Sequence, residues 1–201
     1  MAAAEISSLE RLSSLESILI HQEISIRKGN HYEVRSGDDF LFEMIEEYKE
    51  LGLFSEGKRR AFTMEGVDLT GDLVFSFRRP LMVLSDKIVL SVNGLRTSAI
   101  RLKPTSCTPC FSISDARGCP VYLVKGKIWT NASSYQLQTT TKSTIGSIQR
   151  KDRVWRNARL SRKDDYEYVI SFPADLAVHF KLAVIGACVL IDYRFQEYRR
   201  R

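Results

Sequence analysis

Ten consecutive residues near the C-terminus, Leu182 to Ile191, carry no charge and no proline and lie between Lys181 and Asp192. Wound into a helix, they leave no polar stripe to mark a solvent side. Such a helix is buried in a protein core or placed in a bilayer. At ~1.5 Å per residue the run covers roughly 15 Å, half of a ~30 Å hydrocarbon core. Length therefore favours a core helix, and the rest of the chain has to wrap around it. A membrane span would need the helix to run from Leu176 to Gln196, with Lys181 inside it and Asp192 and Arg194 at the interface. Pro173 and Asp175 suit a first helical turn, which predicts a helix from about Ala174 to Tyr193.

The wrapping material is read from alternation. Ile18, Ile20, Ile24 and Ile26 fall on even positions around His21-Gln22-Glu23, the period of a strand with one buried face. Phe40, Phe42 and Met44 repeat the pattern, as do Phe75 and Phe77. Further strands are predicted at 111–113, 121–124, 135–137 and 145–148, and Tyr166, Tyr168, Ile170 and Phe172 share one face. The segment from Phe42 to Leu53 also fits helical spacing through Glu43, Glu46, Glu47 and Glu50. Turn signals such as Ser36-Gly37-Asp38, Thr70-Gly71-Asp72 and Asn93-Gly94 separate the strands and favour antiparallel hairpins. Short strands at regular spacing argue an all-β sandwich or barrel with one terminal helix. We read residues 1–14 as a short flexible N-terminal arm, with Leu-spaced residues that also fit a short helix, and 15–201 as a single domain.

The chemistry is sparse. His21, His31 and His179 are isolated and lack metal-ligand spacing. Cys107-Thr108-Pro109-Cys110 is a lone C-x-x-C without the second pair that a zinc site needs. The N-terminus lacks a secretory pattern, so the four cysteines are expected to be reduced. No nucleophile elbow or phosphate-cradling loop is visible, which argues against bond-making or bond-breaking chemistry. Two clusters are candidates. Asp164, Asp165, Glu167 and Asp175 offer the hard oxygen ligands that Ca²⁺ takes, although in an extended strand few of them converge. Arg150, Lys151, Arg153, Trp155 and Arg156 set an aromatic ring among cations, which suits an anionic lipid interface or stacking on a nucleic-acid base. The net charge of +6 permits either partner.

The C-terminal motif carries a resemblance. Phe172-Pro173-Ala174-Asp175-Leu176-Ala177-Val178, followed by Ile185-Gly186-Ala187-Cys188-Val189-Leu190-Ile191-Asp192, resembles the F-P-x-D-L-x-V and I-G-A-C-F-L-I-D of the phospholipid scramblases. Ile18-Leu19-Ile20-His21-Gln22, Tyr32-Glu33-Val34, Arg79-Pro80-Leu81 and Cys107-Thr108-Pro109-Cys110-Phe111 resemble further family segments in the same order. The resemblance implies a mainly β, tubby-like fold: a closed antiparallel β-barrel around a hydrophobic C-terminal helix, here Leu182, Val184, Ile185, Gly186, Cys188, Val189, Leu190 and Ile191. It implies ATP-independent, Ca²⁺-dependent, bidirectional movement of phospholipids between leaflets at the cytoplasmic face of the plasma membrane. The implied partners are anionic phospholipids or a membrane surface, then proteins, with nucleic acid behind and no small-molecule substrate. The alternative is a non-transporting tubby-like module that binds anionic lipid, nucleic acid or protein through its basic loops. Two departures stand out. The palmitoylated cysteine stretch of the family has no counterpart in Met82–Lys87, which leaves room for a cytosolic pool. The calcium segment matches only in part, because Tyr166 replaces its second acid and Glu167 its Asn.

Overall fold

The computed structural model describes residues 7–23, 29–47, 61–81, 86–103, 108–126, 133–152 and 166–195. A short helix, α1 (Ser8–Ser14), precedes twelve strands: β1 (Ser17–Glu23), β2 (His31–Ser36), β3 (Asp39–Glu47), β4 (Phe62–Val67), β5 (Leu73–Arg79), β6 (Lys87–Val92), β7 (Leu95–Leu102), β8 (Cys110–Asp115), β9 (Pro120–Gly126), β10 (Ser134–Thr139), β11 (Thr144–Asp152) and β12 (Tyr166–Ser171). The C-terminal helix, α2 (Val178–Phe195), closes the described chain. Every strand pairs antiparallel with its sequence neighbours, and β12 pairs with β1, so the sheet closes into a barrel with no free edge. Closure of that kind satisfies the backbone of all twelve strands.

The up-and-down order sorts the connections. One rim carries the tight turns β2–β3, β4–β5, β6–β7, β8–β9 and β10–β11, together with α1 and the entry to α2. We call it the hairpin rim. At the other, the loop rim, the strand ends are joined through the longer segments, including 48–61 and 153–165. Asn93 and Gly94 both have positive φ (50° and 75°), the conformation that lets a two-residue turn follow the strand twist.

An eight-stranded barrel is about filled by its own side chains. Twelve strands leave more room, and α2 occupies it. No side chain from Leu182 to Ile191 is more than 1 % exposed. Their partners are the inward residues of the strands, among them Ile20, Val34, Phe42, Met64, Phe77, Leu90, Ile100, Ile113, Leu137 and Ile170. Fully burying each large aliphatic side chain is worth about 1.5–3 kcal/mol, so helix and barrel stabilise one another. Gly186 sets the closest approach: a Cβ there would lie 2.8 Å from Phe77 and 3.1 Å from Ile100. Among the described residues no helix is long and apolar enough to cross a membrane.

Two local expectations are corrected, and a third, open between loose arm and short helix, is resolved for residues 8–14. α2 begins at Val178, four residues later than predicted, because Pro173–Leu176 forms a turn closed by Leu176 N–H donating to Pro173 O (3.1 Å). Pro173 and Asp175 thus precede the helix and do not act on its first turn. The first half of the Phe42–Leu53 segment is strand β3, whose Glu46 turns inward and accepts from Asn30 N–H (2.9 Å); residues 48–53 lie outside the described residues. Finally, the second half of the N-terminal arm is the capped helix α1. Ser7 and Glu10 form a reciprocal capping box, and Leu12 is fully buried.

Candidate functional site

The helix is fastened at both ends by charged groups. At the hairpin rim Lys181 is completely buried. Its Nζ donates to the carbonyls of Leu12 (3.2 Å), Ser13 (2.6 Å), Leu15 (2.8 Å) and Ala174 (2.8 Å), and it lies 5.1 Å from the Phe172 ring centroid. Three of those carbonyls end α1, where a helix leaves its C=O groups without intrahelical partners. One ammonium therefore caps α1, clamps it over the barrel mouth and fixes the start of α2. Burial draws this ammonium below the usual lysine range, while Asp175 and Glu16 act in the opposite direction.

At the loop rim Asp192 is 1 % exposed and accepts three tyrosine hydroxyls: Tyr32 (2.8 Å), Tyr166 (2.5 Å) and Tyr168 (3.1 Å). Burial pushes the Tyr168 hydroxyl pKa well up, and the Asp192 carboxylate adds to it. Beside this group Asp86 bridges the buried Arg79 and Arg194, the latter at 2.6 Å. Arg79 also stacks 4.6 Å from the Tyr193 ring. A buried charge has to be paired or hydrogen-bonded to be tolerated, and these are. Sequence reading picked out Lys181 and Asp192 only as the borders of the apolar run. The signal for the partners of Asp192 was Tyr166 and Tyr168 on an otherwise apolar face, since a buried tyrosine hydroxyl needs an acceptor. Arg79 and Asp86 gave no such signal.

Of the expected calcium set, the two described members, Glu167 and Asp175, are not brought together. Asp164 and Asp165 lie outside the described residues. Glu167 sits at the loop-rim end of β12, opposite Lys151 and His21, whereas Asp175 follows the hairpin-rim end of the same strand. Four strand residues at ~3.3 Å each keep them more than about 10 Å apart, too far for one ion with ligands at 2.3–2.6 Å. Among the described residues no three His, Cys, Asp or Glu side chains form a metal-binding group. Of the basic cluster, Arg153, Trp155 and Arg156 lie outside the described residues. Arg150 lies over the Tyr166 ring (4.4 Å), and Lys151 is exposed opposite Glu167.

A closed twelve-stranded barrel filled by an apolar helix, with the helix fastened by charge at either end, defines the architectural class. Residues 1–198 match the model of the Scramblase family, and the chain belongs to that family. It is 26% identical to human phospholipid scramblase 2 over 211 residues, covering 96% of this chain and 71% of that protein. Human phospholipid scramblase 1 and human phospholipid scramblase family member 5 are also 26% identical, each over 94% of this chain and over 65% and 77% of their own lengths. A solved structure of an Arabidopsis thaliana protein superposes with a TM-score of 0.49 at 14% identity, covering 93% of this chain and 99% of its own.

Proposed function

We propose that this protein moves phospholipids between the leaflets of a membrane, in both directions and without ATP, at the cytoplasmic face of the plasma membrane. It displaces lipid and neither makes nor breaks covalent bonds. The observation that carries this reading is the family match over nearly the whole chain. The barrel interior is filled by α2, so lipid does not pass through it. Headgroups instead meet the outside of the barrel, and translocation follows from local disturbance of the bilayer there.

The four predicted carboxylates do not fit one cation, because Glu167 and Asp175 sit at opposite ends of β12. Asp164, Asp165 and Glu167, which follow one another closely in sequence, are the groups a Ca²⁺ response would use, with Asp175 taking no part. The test is a liposome flip assay with the full chain, with and without Ca²⁺. Flip of labelled phospholipid above protein-free liposomes is expected. Asp165→Asn is expected to weaken any Ca²⁺ response, and Asp175→Asn to leave it unchanged. Absence of flip under both conditions, with the protein shown to be folded, would sink the reading.

A further inference from the structure

Charge is distributed unevenly around the barrel. The described residues of 17–47, which build β1–β3, hold seven acids against one arginine, Arg35. Those of 73–126, which build β5–β9, hold eight lysines and arginines against two acids, Asp86 and Asp115. In the closed strand order β7, β8 and β9 are each six strands from β1, β2 and β3 respectively, so the two walls face opposite ways.

The cations of the basic wall are also gathered at one edge. Arg78 is near the end of β5, Lys87 opens β6, Arg101 and Lys103 stand at the end of β7, and Lys125 is near the end of β9. All five belong to the loop-rim ends of their strands. Alternation points them outward, because Phe77, Ile88, Ile100, Leu102 and Val124 are the buried neighbours. Lys87 is directly opposite Arg101 across the β6–β7 ladder, an arrangement of like charges that destabilises a sheet. Burial draws the Lys87 ammonium pKa down, and the like charges of Arg96 and Arg101 lower it further. None of the five forms an ion pair with a described residue. The nearby Asp86 is turned inward onto Arg79 and Arg194. Leu81, 55 % exposed, follows β5 at the same rim.

Cations held together at a cost, with no ion-pair partner among the described residues, are complementary to an anionic surface. An exposed leucine at their border favours a bilayer, where it can enter below the headgroups. Of the exposed hairpin-tip leucines, Leu69 and Leu73 are flanked by Asp68 and Asp72, the wrong sign for such a surface, and Leu95 has the single cation Arg96 beside it instead of a cluster. We propose that the loop-rim edge of the β5–β9 wall, carried by Arg78, Lys87, Arg101, Lys103 and Lys125 with Leu81 at its border, is the face that docks on an anionic phospholipid bilayer. This rests on the membrane reading above and supplies the contact surface for it. The acidic β1–β3 wall is repelled by the same bilayer, which sets the orientation.

The test is co-sedimentation of the full chain with phosphatidylcholine vesicles containing 0 or about 30 mole per cent phosphatidylserine, the anionic lipid of the cytoplasmic leaflet. Binding is expected to require phosphatidylserine and to weaken with salt. The Lys87→Gln/Arg101→Gln double variant is expected to bind roughly 30-fold more weakly. Its unfolding temperature is expected to equal or exceed that of the wild type, because a like-charge pair has been removed, so a folding defect cannot account for the loss. Arg11→Gln/Arg35→Gln makes the same change in net charge off the basic wall and is expected to shift binding less than twofold. Equal binding by the Lys87/Arg101 variant and the wild type overturns the proposal, as does equal loss in both variants. Tighter binding of single-stranded RNA than of phosphatidylserine vesicles also overturns it. Flip activity is read separately: wild-type binding without flip leaves the docking face standing and removes the scramblase reading.

Discussion

The barrel uses the same residue types in opposite ways inside and on its basic wall. Inside, charges are few and each has a partner: Lys181 holds four carbonyls, Asp192 three hydroxyls, and Asp86 two arginines. On the β5–β9 wall charges are many, and the five at the loop rim have no ion-pair partner among the described residues. The interior arrangement makes sense as structure, since an unpaired charge there would unfold the protein. The five rim charges of the wall gain no such pairing among the described residues, and we read them as directed toward something outside the chain. Substitutions should therefore separate, with interior changes costing stability and wall changes costing contact.

The largest effect is expected at the helix ends. Asp192→Leu leaves three buried tyrosine hydroxyls without their acceptor and should cost about 3–5 kcal/mol in urea unfolding. Lys181→Met, which uncaps α1, should cost roughly 3 kcal/mol. If either variant kept wild-type stability, the claim that these groups fasten the helix would fail. Gly186→Val comes next. Its new methyl groups crowd Phe77 and Ile100, and overpacking of this kind costs about 1–3 kcal/mol; an unchanged urea midpoint would mean that the helix is less tightly enclosed than described.

The smallest effect concerns His179, in the first turn of α2 and stacked 4.2 Å from Phe180. Burial lowers its pKa below 6.5, so the fold favours the neutral ring. As pH falls through 6.5 the unfolded chain takes up the proton first, and stability declines until the lower folded value is passed. Thermal unfolding between pH 7.5 and 5 should show this slight decline, and His179→Gln should reduce it. An identical slope in the variant would assign the pH dependence to other groups.

Much of the interior could be read from the chain. The even-numbered apolar residues 166 to 172 all point inward, with none more than 4 % exposed, as alternation requires. The uncharged run is the barrel core, as its length indicated. The resemblance supplied the closure and topology that spacing alone left open between sandwich and barrel. What could not be read depends on contacts between distant segments. Lys181 reaches carbonyls more than 160 positions away, and nothing local marks them. The basic wall was hidden for a different reason. From the Asn93-Gly94 turn alone, Lys87 would oppose Ile100. A bulge between Leu90 and Ser91 moves the register by one residue and brings Arg101 opposite, and bulges leave a weak trace in sequence. The Arg150–Arg156 run, conspicuous as a string of letters, has Arg150 over an aromatic ring and Lys151 opposite an acid.

The central claim is that α2 stays sealed in the barrel while the outer surface meets the lipid. Cys188 reports on it directly: it is 1 % exposed, and burial pushes its thiol pKa well up, which leaves it protonated and shielded. Cys119, exposed after the β8–β9 turn, is an internal reference. The full chain should be bound to phosphatidylserine vesicles with Ca²⁺ present, treated with a maleimide and mapped by mass spectrometry. The account predicts rapid labelling of Cys119 and none of Cys188 until urea unfolds the protein. Labelling of Cys188 at a rate near that of Cys119 once vesicles are added would mean that the helix leaves the barrel at the membrane, and would contradict it.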